Sequence, residues 1–256
     1  MLNSFPRDFT ALVQGSSRGI GLALVQRLLD QERVGRVVAC ARRPDTSSGL
    51  ARLGEKHAGR LKTFRLDITD PRQLEALADG LRAEQLRPHL VINVAGILHG
   101  DDGLAPEKRL EDLDFEQMQR VFAVNTLGPA MLCRHLLPLM ATDGKAVLAA
   151  LSARVGSIGD NRLGGWYAYR SSKSALNQIL KTASIEARRR FKNVVLAALH
   201  PGTTDTDLSR PFQANVPEDK LFSTRFVAER LLQVIDQLGA DDSGGFFAWD
   251  GQTIPW

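Results

Sequence analysis

The stretch Thr10-Ala11-Leu12-Val13-Gln14-Gly15-Ser16-Ser17-Arg18-Gly19-Ile20-Gly21 runs from an apolar strand straight into a glycine turn. A helical pattern, Leu22 to Leu29, follows at once. Glycine permits a tight turn and lets backbone come close to a pyrophosphate. The helix N-terminus beyond it favours negative charge. The spacing is G-x-x-x-G-x-G rather than G-x-G-x-x-G, and a glycine turn alone also serves purely structural ends. Its place between a strand and a helix makes Gly15, Ser17, Arg18, Gly19, Ile20 and Gly21 candidates for a cofactor-phosphate cradle.

Outward from this turn, short apolar runs alternate with longer amphipathic stretches, the pattern of βαβ units around a parallel sheet. Strands are predicted at Thr10–Gln14, Arg36–Ala41, Leu61–Leu66, His89–Asn93, Lys145–Leu151, Asn193–His200 and Gly244–Ala248. Several are almost continuously apolar, as strands covered on both faces are. Asp70 before Pro71 reads as a helix N-cap, and Leu74, Leu77, Ala78 and Leu81 then recur at helical spacing. Val227, Leu231, Ile235 and Leu238 do the same near the end. The expected fold is α/β: one Rossmann-like, doubly wound parallel sheet of about seven strands with helices on both faces, a single domain over residues 1–256. A ligand would lie beyond the carboxyl ends of the strands.

The second strand ends Val38-Ala39-Cys40-Ala41-Arg42-Arg43. An NAD-preferring site usually places an acid there to bond the ribose hydroxyls. None is present, and arginine guanidinium groups hold phosphate by paired hydrogen bonds. Arg18 and Arg42 are therefore expected to clasp the 2′-phosphate of NADP(H).

Composition narrows the remaining classes. The 256 residues are 43% hydrophobic and 24% charged, a globular balance, with no internal repeat or linker that would divide them. A net charge of +4 is only mildly basic, and 6% aromatics argue against a nucleic-acid surface. The densest cationic run, Arg188-Arg189-Arg190, closes a predicted helix, where the dipole favours it. Cys40 and Cys133 are too few for a disulfide framework, and the five histidines lack metal-ligand spacing. No metal site, membrane span or signal peptide is expected, and the cytoplasm is the expected location.

Farther along, Trp166-Tyr167-Ala168-Tyr169-Arg170-Ser171-Ser172-Lys173 opens a long predicted helix. Tyr169 and Lys173, four residues apart, share one helical face. A nearby ammonium favours phenolate, so Lys173 is expected to lower the Tyr169 pKa and make it an acid or base for a carbonyl or alcohol. Such a pair alone is commonly a surface accident. Its companions in order are Gly15–Gly21, Asp67, Asn93-Val94-Ala95-Gly96, Asn125 and Pro201-Gly202. With them the chain resembles the short-chain dehydrogenases/reductases along nearly its whole length. Ser152–Ile158, Gly164–Arg170 and Asp207–Gln213 further resemble a subgroup that includes C-factor cell-signalling proteins and Sniffer-type carbonyl reductases. That resemblance implies that Asp67 and Ile68 meet an adenine and that Asn93, Ala95 and Gly96 pass the cofactor ribose. It further implies that Asn125 organises a proton relay through Lys173, and that Pro201, Gly202, Thr204 and Thr206 hold the nicotinamide end.

Two positions depart from the family pattern. Val94 replaces an asparagine, and Ala153 stands where the family usually has its substrate-orienting serine. Ser152, at a strand end, and Ser157, on the following loop, are both candidates for that role, with Ser152 slightly favoured. The reading is an NADP(H)-dependent oxidoreductase that moves a hydride between nicotinamide and a small carbonyl or alcohol substrate. The alternative is a non-catalytic, nucleotide-binding signalling or regulatory protein of the same fold. The apolar segment Thr203 to Phe222 is expected to form a mobile flap over the substrate. Relatives commonly form homodimers or homotetramers through segments equivalent to Phe115–Met140, Trp166–Arg190 and Gly244–Ala248.

Overall fold

A computed structural model describes all 256 residues, Met1–Trp256. The strands are β1 (Phe9–Gln14), β2 (Val34–Ala41), β3 (Leu61–Arg65), β4 (Pro88–Asn93), β5 (Ala146–Leu151), β6 (Val194–His200), β7 (Thr203–Thr204), β8 (Leu221–Phe222) and β9 (Gly245–Ala248). The helices are α1 (Gly19–Leu29), α2 (Ser48–Lys56), α3 (Pro71–Ala83), α4 (Phe115–Phe122), α5 (Gly128–Leu136), α6 (Tyr167–Arg190) and α7 (Thr224–Gln237). Seven strands form one parallel sheet in the order β3-β2-β1-β4-β5-β6-β9. The strand order reverses between β1 and β4, which opens the crevice where such sheets bind ligands. The predicted fold class and all seven predicted sheet strands are present, with ends shifted by a residue or two. The short β7–β8 ribbon is an addition.

Side-chain alternation explains why the strands read as continuous apolar runs. Ala11, Val13, Val147 and Ala149 pack on one face with residues of α1 and α7, such as Leu24, Val25, Leu231 and Ile235. Leu12, Val91, Leu148 and Leu196 pack on the other with residues of α3, α5 and α6, such as Leu77, Leu132 and Leu176. Each strand thus feeds two cores, one per face. The predicted cap is also present, with Asp70 accepting from the Arg72 amide at 2.9 Å and Pro71 beginning α3.

Three expectations need correction. Helix α1 begins at Gly19, not Leu22, so the last glycines of the turn already belong to its first turn. Phe115–Met140 is not one α-helix: a π-helical turn, Ala123–Leu127, separates α4 from α5. Such wide turns recur at functional sites, and this one holds Asn125, fully buried. Trp166 lies outside α6, in the left-handed region with φ 53° and ψ 44°. No helix is long and apolar enough to cross a membrane.

Leu12 is fully buried in the central strand, whereas Leu163 is 92% exposed on a loop. In denaturant unfolding, Leu12→Ala is expected to cost about 2–5 kcal/mol. Leu163→Ala is expected to stay within about 0.5 kcal/mol of the parent.

Candidate active site at the carboxyl ends of the strands

The glycine turn lies where the sequence pattern puts it, and contacts with its neighbours define its shape. The amides of Gly15 and Ser16 both donate to the Cys40 carbonyl at the end of β2, at 2.9 and 3.1 Å. The Ser16 hydroxyl donates to the same carbonyl at 2.9 Å. Gly15 has φ +85°, and a Cβ there would lie 2.8 Å from the Ala95 amide nitrogen just beyond β4. A Cβ at Gly21 would lie 2.0 Å from the Gly15 carbonyl oxygen. Turn, helix start and the chain leaving β4 are therefore closer than any side chain permits. Ser47, after β2, donates to the Ser17 carbonyl and fixes the outer rim.

Two further groups of expected residues face this crevice from neighbouring strand ends. Asn93, the last residue of β4, is 1% exposed, yet neither its side-chain oxygen nor its nitrogen has a partner. Buried polar atoms left unpaired are rare in folded proteins, and these two lie free to bond a group in the crevice. Ile68 is buried, and the Asp67 carboxylate accepts from the Thr69 amide and hydroxyl at 3.0 and 2.7 Å. On the far side Thr204 is buried, its hydroxyl donating to the Pro201 carbonyl at 3.5 Å. The Thr206 methyl comes close to Gly19, while Gly202 packs against Phe222 and Trp249.

Tyr169 and Lys173 lie on the first turns of α6 at 8% and 3% exposure, with the Lys173 Nζ 5.7 Å from the centre of the Tyr169 ring. Lys173 donates to the Leu151 carbonyl at 2.8 Å, which ties α6 to the end of β5. Burial alone pushes the Tyr169 phenol up to about 12, and burial alone pulls the Lys173 ammonium down to about 8. The expected lowering of the tyrosine pKa by the lysine is thus overturned. Desolvation disfavours both charged forms, and it is the one cause of each shift. The phenol is held protonated, the state needed to give a proton away.

Asn125 joins this pair to β4. Its Oδ1 accepts from the Ile97 amide at 2.8 Å, and its Nδ2 donates to the Ile97 carbonyl at 2.9 Å and to the Ser172 hydroxyl at 3.1 Å. Gly96 faces both Asn125 and Lys173. The two candidate serines differ sharply. Ser152 is 3% exposed and its hydroxyl has no partner, whereas the Ser157 hydroxyl accepts from the Asp160 amide at 3.1 Å. By strand alternation Ser152 follows Ala150 onto the face that carries α6. A Cβ at Gly156 would lie 2.7 Å from the Lys173 Cβ, so glycine is what lets the serine loop rest on α6.

Several residues at the site carried no readable signal. Glu107 is buried, and its carboxylate accepts at 3.2 Å from the amide of Ala168, the residue before Tyr169 in the first turn of α6. Its backbone carbonyl accepts from the Trp166 amide. Trp166 stands edge-on to Tyr169, with centroids 6.2 Å apart, and packs on Phe212 at 4.9 Å, which meets His99 at 5.8 Å. His200 is half-buried and accepts from the Arg154 amide through Nδ1; desolvation pulls it down to about 4, so it stays neutral. Phe212 belongs to the expected flap; the contacts of Glu107, Trp166, His99 and His200 join segments distant in sequence. Arg42 is exposed at the end of β2, whereas Arg18 is paired with Asp207 at 3.0 Å. The expected flap, Thr203 to Phe222, is anchored at both ends by the parallel β7–β8 pair.

Residues 9–217 match the family model of the short chain dehydrogenases. The C-signal protein of Myxococcus xanthus is 37% identical over 147 residues, covering 57% of this chain and 83% of that protein. Among solved structures, the carbonyl reductase Sniffer of D. melanogaster is 25% identical with a TM-score of 0.85, over 98% of this chain and 100% of that one. The carbonyl reductase from chicken fatty liver, solved with NADPH bound, is 29% identical with the same TM-score and the same coverage. The doubly wound sheet agrees with these matches, and this chain belongs to the short-chain dehydrogenase/reductase family of oxidoreductases.

Proposed function

We propose that this protein is an NADP(H)-dependent carbonyl reductase in which Tyr169 supplies the proton. The observation that carries the reading is the buried Tyr169–Lys173 pair beside two unpartnered polar groups, Asn93 and Ser152. The residues present suit a dinucleotide: a glycine turn too tight for side chains, a buried unpaired amide at the end of β4, and arginines instead of an acid after β2. Arg18 and Arg42 would hold the 2′-phosphate, and the NADPH seen in the chicken enzyme supports that choice. Asp67 and Ile68 would border the adenine. Asn93, Ala95 and Gly96 would line the ribose, and Pro201, Gly202, Thr204 and Thr206 the nicotinamide end.

Nicotinamide, when bound, supplies or accepts the hydride. Tyr169, held protonated, gives its proton to the carbonyl oxygen as negative charge develops there. The Lys173 ammonium offsets the phenolate left behind, and that attraction acts in a site where burial has removed competing water. Ser152, with its hydroxyl uncommitted, donates to the same oxygen. Asn125 keeps α6 and the chain after β4 in register, and so keeps Lys173 in place to return a proton to Tyr169. Trp166, Phe212 and His99 give the approach to Tyr169 an apolar, aromatic wall, which suits a hydrophobic carbonyl compound. Exposed Phe115, Leu127 and Ile185, on the segments expected to pair, support a homodimer or homotetramer.

One observation favours a second reading, a nucleotide-binding signalling protein: Ala153 occupies the usual serine position, and the chain is similar to C-signal. Tyr169→Phe separates the two, because a signalling role that needs no chemistry survives it in cells.

With NADPH and a panel of carbonyl compounds, Tyr169→Phe is expected to lower kcat by about 10²–10⁴-fold with the cofactor still bound. Lys173 loses its charge as pH rises through about 8, so reduction should slow above that pH. Lys173→Arg, which stays charged, should remove the decline from the pH profile. Ser152→Ala should reduce kcat by about 10²-fold or more. Ser157→Ala should keep turnover and lose about 1 kcal/mol of stability in a melt; the opposite pattern would move the role to Ser157.

A further inference from the structure

The flap contacts the glycine turn through one residue more than any other. Asp207 accepts from Arg18 Nη1 through Oδ2 at 3.0 Å and from Arg210 Nη2 through Oδ1 at 2.9 Å. Its backbone carbonyl and that of Leu208 lie 3.1 and 3.2 Å from His99 Nε2, which donates to them. One residue earlier, the Thr206 methyl lies 3.4 Å from where a Cβ on Gly19 would stand. Five residues later, Phe212 packs between Trp166 and His99. Asp207 is thus where the flap bridges the loop after β1 and the loop after β4, across the crevice between them.

The partner it takes there matters. A guanidinium fork suits a carboxylate and a phosphate equally well in geometry. Arg18 is the arginine within the glycine turn, and on the cofactor reading above it serves the 2′-phosphate. We infer that Asp207 occupies on Arg18 the place of that phosphate, so that flap and phosphate compete for one cation and Asp207 limits the preference for NADPH over NADH. The inference rests on the NADP(H) reading. NADH, with a ribose hydroxyl in place of the phosphate, does not displace the carboxylate. NADPH does, and in doing so it frees the flap at the point where it crosses the crevice. Both side chains are largely exposed, at 73% and 47%, so the competition is modest. Exposed ion pairs of this kind correspond to about two- to fivefold in an equilibrium constant.

The test uses two nucleotides that differ only in the phosphate, 2′,5′-ADP and 5′-ADP, titrated into the intact protein at fixed ionic strength. Asp207→Asn is expected to tighten 2′,5′-ADP by about two- to fivefold and leave 5′-ADP unchanged. Arg18→Leu is expected to weaken 2′,5′-ADP, and Asp207→Asn added to it should bring no gain. Thermal melts of the variants establish that each is folded. If the parent prefers 2′,5′-ADP but Asp207→Asn leaves it unchanged or weaker, the inference fails and the cofactor reading stands. An equal gain in the Arg18→Leu background would reduce Asp207 to bulk charge repulsion and also overturn it. If the parent binds the two nucleotides alike, the NADP(H) reading itself fails and takes the inference with it.

Discussion

A buried ammonium governs the architecture of the site. Lys173 is 3% exposed and its charge is satisfied by one backbone carbonyl, that of Leu151 at the end of β5. Removing a cation from water is costly unless hydrogen bonds replace the lost solvation. The neighbourhood is arranged so that the lysine can reach this carbonyl. Gly156 lets the loop after β5 lie against the lysine stem, and Gly96 leaves room at its tip. The π-helical turn swings Asn125 inward to join α6 to the chain beyond β4. The same burial lowers the lysine pKa and raises that of Tyr169, so the phenol keeps its proton and the ammonium beside it gives its own up more readily.

The sheet delivers these parts to one place. Strands β1, β4, β5 and β6 are parallel neighbours, so their carboxyl ends lie side by side. Gly15, Asn93, Ser152 and Pro201 each follow or end one of these strands. Residues far apart in sequence therefore share a crevice without any loop having to travel far. The two cores below, one on each face of the sheet, fix the strand ends in register. The flap is held by side-chain contacts of Asp207 and Phe212 and by the brief backbone pairing of β7 with β8.

Much of this was legible in the sequence, for identifiable reasons. The sheet strands could be read because burial on both faces gives unbroken apolar runs, and α3 because Asp70 and Pro71 announce its start. The glycine turn, Asn93, Asn125, Tyr169 and Lys173 could be read because their order matches a family pattern. What could not be read depends on tertiary environment. The direction of the Tyr169 pKa follows from desolvation, which spacing along a helix does not reveal. The break in the helix at Asn125 follows from the pull of Ile97 and Ser172 on one side chain. Glu107 at the start of α6, and Asp207 on Arg18, are contacts between segments about 60 and 190 residues apart. That the Ser157 hydroxyl is already bonded while that of Ser152 is free is likewise a matter of tertiary contacts.

The central claim is that this crevice brings nicotinamide and a carbonyl carbon together beside Tyr169. Single-turnover reaction of the protein with NADPH deuterated at C4 of the nicotinamide and a hydrophobic aryl ketone, followed by mass spectrometry of the product, tests it most directly. The expected product is an alcohol carrying one deuterium on its carbinol carbon when either the pro-R or the pro-S label is used, and not with the other. An alcohol without deuterium from both labels, or unchanged ketone beside bound cofactor, would contradict it.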